Sequence, residues 1–300
     1  MSVSRKLLEA SIKGAATAET TFQRIKQSFN RRLSLKYVYK PRPDDIFLVT
    51  FPKSGTTMMQ MMLHQMTTNG EMDFSHINSI SPWFERHLLA GRIEWFEKLP
   101  SPRFFKSHML YEKTPLHGKL IYMVRDVRDV AVSAYYHQRV FMHRQGDVAS
   151  FVDDFLDDRV GFGSWFEHVE SWWLHRNDPN VLFLRYEEVV ADLAGTVRKV
   201  AGFCSIPLDE AELPRIVERC SFEYMKKHND KFDPRLHSTY VGDFIRSGKA
   251  GEGHVSFTPE QNRRLAEQMD KLAARLGRSP ADADAPFLLP QAELNAEARG

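Results

Sequence analysis

At 300 residues the chain is long enough to bury a full core, as one large domain or two small ones. Its 42% hydrophobic and 27% charged residues are ordinary for a soluble globular protein. A net charge of +2 argues against general nucleic-acid binding, so any basic site must be local. The two cysteines, Cys204 and Cys220, are too few for a disulfide framework and read as free thiols in a reducing compartment. No apolar run approaches the ~18 residues of a membrane span. The first residues lack the continuous apolar stretch of a secretory signal. The expected location is therefore cytoplasmic.

Residues 1–44 read as a basic, loosely amphipathic helical segment; from residue 4 to about 40, Arg5, Lys6, Lys13, Arg24, Lys26, Arg31, Arg32, Lys36 and Lys40 face only Glu9 and Glu19. It reads as a solvated helix packed on the domain. A peripheral contact with an anionic membrane surface or an acidic partner is the other reading. From Asp45 onward apolar strands alternate with helical patterns. Ile46–Phe51 is a buried strand that stops at Pro52, and Lys53-Ser54-Gly55-Thr56-Thr57 then opens a helix over Thr56–Thr68. Free amides from Ser54 to Thr57 at a helix start can surround an anion, and Lys53 adds a point charge. Because Lys53 precedes Gly55, the loop does not fit the Walker A order.

Strands at Arg103–Lys106, Lys119–Val124 and Val181–Arg185 follow, with helices at Arg128–Gln138, Gly163–His175 and Leu193–Phe203. The first of these strands runs into Lys106-Ser107-His108. The second ends at Arg125, and Ser133 lies about two helical turns further on. An Arg at a strand tip and a Ser on the next helix can grip one phosphate from two sides. Arg128 reads instead as neutralised by Asp126 and Asp129 on a solvated helix start. A glycine loop, Arg246-Ser247-Gly248-Lys249-Ala250-Gly251-Glu252-Gly253, allows close backbone approach to an anion. Thr258 should cap a final helix that begins at Pro259 and runs to about Leu276. The stretch 279–300 reads as an irregular tail. The rhythm predicts an α/β fold: a single domain over 45–278 with a central parallel β-sheet flanked by helices. Ligands of such sheets bind beyond the carboxyl ends of the strands, where the basic loops fall.

In this order the motifs resemble those of cytosolic-type sulfotransferases, which use 3′-phosphoadenosine-5′-phosphosulfate (PAPS) and release the bisphosphate PAP. The resemblance covers roughly Asp45 to Thr258 and implies their P-loop-like fold. It assigns Lys53, Ser54, Gly55, Thr56 and Thr57 to the 5′-phosphosulfate, and Arg125, Ser133 and the loop of Arg246, Ser247 and Gly248 to the 3′-phosphate. Tyr186, Phe222 and Met225 fall at its adenine positions, and Met58 stands where it has a Trp. Ser247 replaces its Lys, and Gly253 a second Trp. The Lys-x-His order makes His108 the general base, an imidazole whose intrinsic pKa near ~6.5 suits that task. Lys106 would bind the sulfuryl oxygens, and Lys53 would stabilise the leaving phosphate. No metal is required.

The implied acceptor is a hydroxyl, with an amine as the second choice, of an apolar or phenolic small molecule, with no nucleic-acid partner. Ser75–Arg103 and Tyr135–Phe155 should wall its pocket, with Ile77, Ile80, Trp83, Phe84, Phe141 and Met142 as lining or ordinary packing. His137 and His143 read as surface or packing residues. The family's dimerisation motif would begin near His254, where a Lys is expected, and Pro259 stands in place of its Val. Monomer and homodimer both remain open. Two other functions are compatible with parts of the pattern: a P-loop kinase, which would need Mg²⁺ and ATP, and a PAP/PAPS-binding protein without turnover.

Overall fold

The computed structural model describes residues 39–68, 70–232, 244–248, 251–253 and 256–277. The basic N-terminal segment before residue 39, His254 and the tail from residue 278 lie outside these. The chain forms two compact units, one of residues 42–82 and 101–300, the other of residues 1–41 and 83–100.

The larger unit is built on a four-stranded parallel sheet of β1 (Ile46–Thr50), β2 (Phe104–Ser107), β3 (Lys119–Val124) and β4 (Val181–Arg185), in the order β2-β1-β3-β4. β1 is buried at every residue and β3 at all but Lys119, as a sheet covered on both faces demands. Phe47 pairs with Phe105 on one side and Leu120 on the other. Arg103 Nε and Nη2 donate to the two Asp45 carboxylate oxygens at 2.7 Å each, tying the start of β2 to that of β1. Strand order reverses between β1 and β3. The crevice beyond their carboxyl ends is thus the switch point at which open parallel sheets place ligands.

The helices of this unit that sequence placed are present with small shifts of boundary. They are α1 (Thr56–Thr67), α4 (Val127–Phe141), α6 (Trp165–Trp173), α8 (Leu193–Cys204) and α11 (Pro259–Arg275). Side chains fix the starts of the last four. Asp126 accepts from the Arg128 and Asp129 amides, Ser164 from Glu167, and Asp192 from Gly195. Thr258 and Gln261 form a reciprocal capping box. Trp165, Trp172 and Trp173 are buried in the core.

The structure adds elements that sequence left unassigned: α2 (Ile77–Ile80), α5 (Val148–Leu156), α7 (Tyr186–Ala191), α9 (Leu213–Cys220) and α10 (Phe222–Lys227). α5 is started by Asp147 and buries Phe151, Val152, Phe155 and Leu156. The smaller unit carries α3 (Phe84–Ala90), where Phe84 stacks on Phe96 at 5.3 Å and meets Tyr39 edge-on. Phe84 is therefore core packing, as is Ile77 in the larger unit. Cys204 and Cys220 are free, and burial pushes both thiols up to about 12, leaving them inert. Among the described residues no helix is long and apolar enough to cross a membrane.

Candidate active site

The turn between β1 and α1 carries unusual backbone. Lys53 has φ 75° and Gly55 φ 93°, both in the left-handed region, which Lys adopts only when its surroundings impose it. A Cβ on Gly55 would lie 2.6 Å from the Tyr186 ring, so only glycine lets the turn lie against it. Gly55 is the N-cap of α1, and no side chain caps this helix. Its first amides and the positive end of its dipole are left for something else. Ser54 is fully buried, and its hydroxyl has no hydrogen-bond partner among the described residues.

The side chains at this turn are cationic. Lys53 is crowded by Lys106, Arg125 and Arg246, and burial and their charges, in that order, pull its pKa from 10.5 to about 7. Its ammonium lies 4.6 Å from the centroid of Phe244. A site that holds several cations together at such electrostatic cost is suited to a multiply charged anion. Residues Lys53 to Thr57 and Arg125 thus fit phosphate groups by charge, by backbone and by an unused buried hydroxyl.

His108 lies just past the end of β2, alongside the end of β1. Its Nδ1 is 2.7 Å from the carbonyl oxygen of Thr50. A carbonyl only accepts, so Nδ1 carries the proton and donates, and Nε2 holds the lone pair. Thr50 Oγ1 lies 2.6 Å from Thr56 Oγ1, which links this imidazole to the first residue of α1. Behind the strand, His168 is buried and shares a 3.1 Å hydrogen bond with the Tyr122 hydroxyl. Burial pushes its pKa down to about 4, so it stays neutral.

Beyond β3, Arg125 Nη1 donates to the Lys53 carbonyl oxygen at 3.3 Å, and its guanidinium lies 4.3 Å over the Tyr186 ring. Its Nη2 pairs with Asp129 at 3.3 Å. Ser133 follows on α4, half-buried. Arg246 lies 4.3 Å over the Tyr136 ring of α4 and pairs with Glu252, whose carboxylate also accepts from Ser247 Oγ at 2.9 Å. Gly248, at φ 63°, rests on Phe222, whose ring would be 2.2 Å from an added Cβ. Met58, Tyr186 and Met225 come together in one apolar cluster with Met123. The candidate residues, scattered over the sequence from Lys53 to Gly248, thus all belong to the larger unit.

One expectation is corrected. Arg128 does pair with Asp126, at 3.6 Å, but it is wholly buried rather than on a solvated helix start. The glycine loop covers it: a Cβ on Gly253 would be 2.3 Å from the Arg128 carbonyl carbon. Sequence also missed Thr50, Asp129, Glu252, Tyr136 and Phe244 as members of this neighbourhood. Thr50, Asp129 and Glu252 lie inside the motifs themselves and Phe244 two residues before Arg246, but local sequence did not show the contacts they make.

An open parallel sheet with an uncapped, cation-lined helix start at its switch point defines an α/β protein of P-loop-like architecture, suited there to an anionic ligand. Residues 43–277 match the family model of the sulfotransferase domain. The chain is 32% identical over 246 residues to sulfotransferase 1C2 of Oryctolagus cuniculus, covering 76% of this chain and 83% of that protein. Its fold is similar to that of mouse sulfotransferase SULT7A1 complexed with PAP, with a TM-score of 0.67 and 29% identity over 87% of this chain and 91% of that one. It is also similar to retinol dehydratase in complex with androsterone and the inactive cofactor PAP, with a TM-score of 0.68 and 25% identity over 79% and 82%. The chain belongs to the sulfotransferase domain family, and its chemistry is sulfuryl transfer.

Proposed function

We propose that the protein transfers the sulfuryl group of PAPS to the hydroxyl of a small apolar or phenolic molecule, with His108 as general base. The observation that carries this reading is the anchored imidazole: His108 Nδ1 donates to the Thr50 carbonyl, which makes Nε2 the basic nitrogen, and Thr50 Oγ1 lies 2.6 Å from Thr56 Oγ1 at the uncapped start of α1. The PAP found in the two similar structures supports the choice of donor. When bound, PAPS supplies an activated sulfuryl group whose departing oxygen belongs to a 5′-phosphate.

His108 Nε2 accepts the acceptor's hydroxyl proton as that oxygen bonds to sulfur. The bond between sulfur and the 5′-phosphate oxygen breaks, and PAP leaves with the electron pair. Lys106 binds the sulfuryl oxygens, and Lys53 with the Thr56 and Thr57 amides and hydroxyls neutralises the leaving phosphate. In sulfuryl as in phosphoryl transfer, position and charge do most of the work. Arg125, Ser133 and the Arg246–Gly248 loop grip the 3′-phosphate, with Tyr186, Phe222, Met225 and Met58 around the base. Phe244, with Phe141 and His137 beside it at 6.0 and 6.1 Å, places aromatic surface next to Lys53, which favours an apolar or aromatic acceptor. The androsterone and retinol held in complexes of retinol dehydratase are largely apolar alcohols, which supports that choice.

A panel of phenols, sterols, alkyl alcohols and amines incubated with PAPS, read by mass gain of a sulfo group, tests the function. Sulfation of hydroxyl compounds is expected. His108→Ala should lower turnover by about 10²–10⁴-fold, the usual worth of a positioned base, while PAP affinity stays within about twofold. Undiminished transfer in that variant would remove His108 from its role. Turnover with ATP and Mg²⁺ but not with PAPS would overturn the function itself.

A further inference from the structure

Asp129 is the residue that sequence gave the least to do, and the structure gives it three partners. Its side chain is almost entirely buried. Oδ1 accepts from the Gly253 amide at 2.8 Å, and Oδ2 accepts from the Gly251 amide at 2.9 Å and from Arg125 Nη2 at 3.3 Å. Both oxygens are taken by donors that the rest of the fold presents, and one of the three is a guanidinium. The two amide bonds have the length of charge-assisted bonds to a carboxylate and the Arg125 contact is longer, and stripping a buried carboxylate of such partners is costly.

The residue between those two glycines is Glu252, which holds Arg246 and Ser247. One tripeptide, Gly251-Glu252-Gly253, therefore has its backbone fastened to α4 and its side chain fastened to the basic end of the loop. The approach depends on this chain's own sequence. Where the resemblance expects a Trp, Gly253 brings loop backbone directly onto α4, with its absent Cβ 2.3 Å from the Arg128 carbonyl carbon and 2.5 Å from the Asp129 amide nitrogen.

We infer that Asp129 is a positioning residue for the 3′-phosphate site: it orients Arg125 directly and Arg246 through the glycine loop, so that one carboxylate aligns both guanidinium groups on one anion. The inference rests on the reading of Arg125 and Arg246 as 3′-phosphate ligands. In this role Asp129 acts through Arg125 and the loop rather than on the nucleotide. Fixing two cations in advance removes the ordering cost from binding, which is how pre-organisation raises affinity.

The test compares two probes, PAP and adenosine 5′-monophosphate, which lacks the 3′-phosphate, by titration calorimetry on the full chain. Wild-type protein should prefer PAP. Asp129→Asn should weaken PAP by about 10- to 100-fold, the range for losing a hydrogen bond to a charged group, and change 5′-monophosphate binding by less than about threefold. KM for PAPS should rise with KM for the acceptor unchanged. Gly253→Ala keeps the carboxylate but drives the loop away from α4, and should cause the same selective loss even if Asp129→Asn folds poorly. Equal weakening of both probes, or an unchanged PAP preference in either folded variant, would overturn the inference while leaving the 3′-phosphate reading intact. A wild-type protein with no preference for PAP would overturn that reading and the inference together.

Discussion

The helices that follow β1 and β3 begin side by side at the same edge of the sheet, and they begin in opposite ways. α1 starts at Gly55 with no side-chain cap and no acid in its first turn. α4 starts under Asp126, which accepts two of its amides, with Asp129 inside the first turn. A missing cap costs about 1 kcal/mol. At α1 this is compounded by a lysine in the left-handed region and by crowded cations. A bound anion repays these terms at once, because free amides, dipole and ammonium all favour negative charge. At α4 the amides are spent on Asp126, and what remains for a ligand is side chains, Arg125 and Ser133. One helix start is thus arranged to bind with its backbone and the other to hold side chains in place.

If that contrast is right, the largest loss should come from the backbone-binding end. Lys53→Met should reduce kcat by about 10²–10³-fold, the magnitude found for removing one group that stabilises transition-state charge. Steady-state kinetics with saturating PAPS would read it. A variant that retained wild-type kcat would shift the neutralising role to Lys106 and Arg125.

The titration of Lys53 gives the next effect. Its pKa near 7 in the folded, ligand-free protein lies well below the 10.5 of an ordinary lysine. Between those values the unfolded chain holds a proton that the folded one has released. Raising the pH through that window therefore stabilises the ligand-free fold, and below pH 7 that gain is absent because both states are protonated. Binding an anion reverses the preference, since the ammonium is then wanted. PAP binding should take up a proton near pH 7.5, and affinity should fall by up to about tenfold per pH unit above 7 from this group. Calorimetry in buffers of different ionisation enthalpy measures the uptake directly. Lys53→Met should abolish it, and an uptake that survives the substitution would assign the proton to another group.

The two regions also differ in how far they could be read from sequence. All four strands were legible because their apolar runs end at turn residues. The starts of α4, α6, α8 and α11 were legible, whereas α5 and α10, though capped by Asp147 and Ser221, were not. α9 was not, although Pro214 in its first turn and Leu213, Ile216 and Cys220 at helical spacing carried the signal. At the site, Lys53, Gly55 and Arg125 were legible because local order defines a strand-to-helix turn. Thr50 was not, since its contact with His108 spans 58 residues and exists only through the parallel register of β1 and β2. Asp129 was misjudged for a related reason. Read locally it is an acid beside Arg128, whereas its partners Gly251 and Gly253 arrive from more than 120 residues away. Local chemistry announces the residues that bind, and tertiary structure alone announces those that align them.

The smallest effect should come from a helix start that binds nothing. Thr258 and Gln261 satisfy each other's backbone at the head of α11, with the Gln261 amide 3.2 Å from Thr258 Oγ1 and the Thr258 amide 3.1 Å from Gln261 Oε1. Thr258→Ala should lower stability by about 1 kcal/mol, the typical worth of such a cap, and leave kcat and the KM for PAPS unchanged. Chemical denaturation and steady-state kinetics on the same sample separate the two. Introducing an N-cap at α1 by Gly55→Asp should do the reverse of a stabilising cap. The side chain would occupy anion space, meet the Tyr186 ring and sit at φ 93°, so both stability and PAP binding should fall. Were Gly55→Asp to stabilise the protein and spare PAP binding, α1 would be an ordinary helix start, and the contrast between it and α4 would lose its functional meaning.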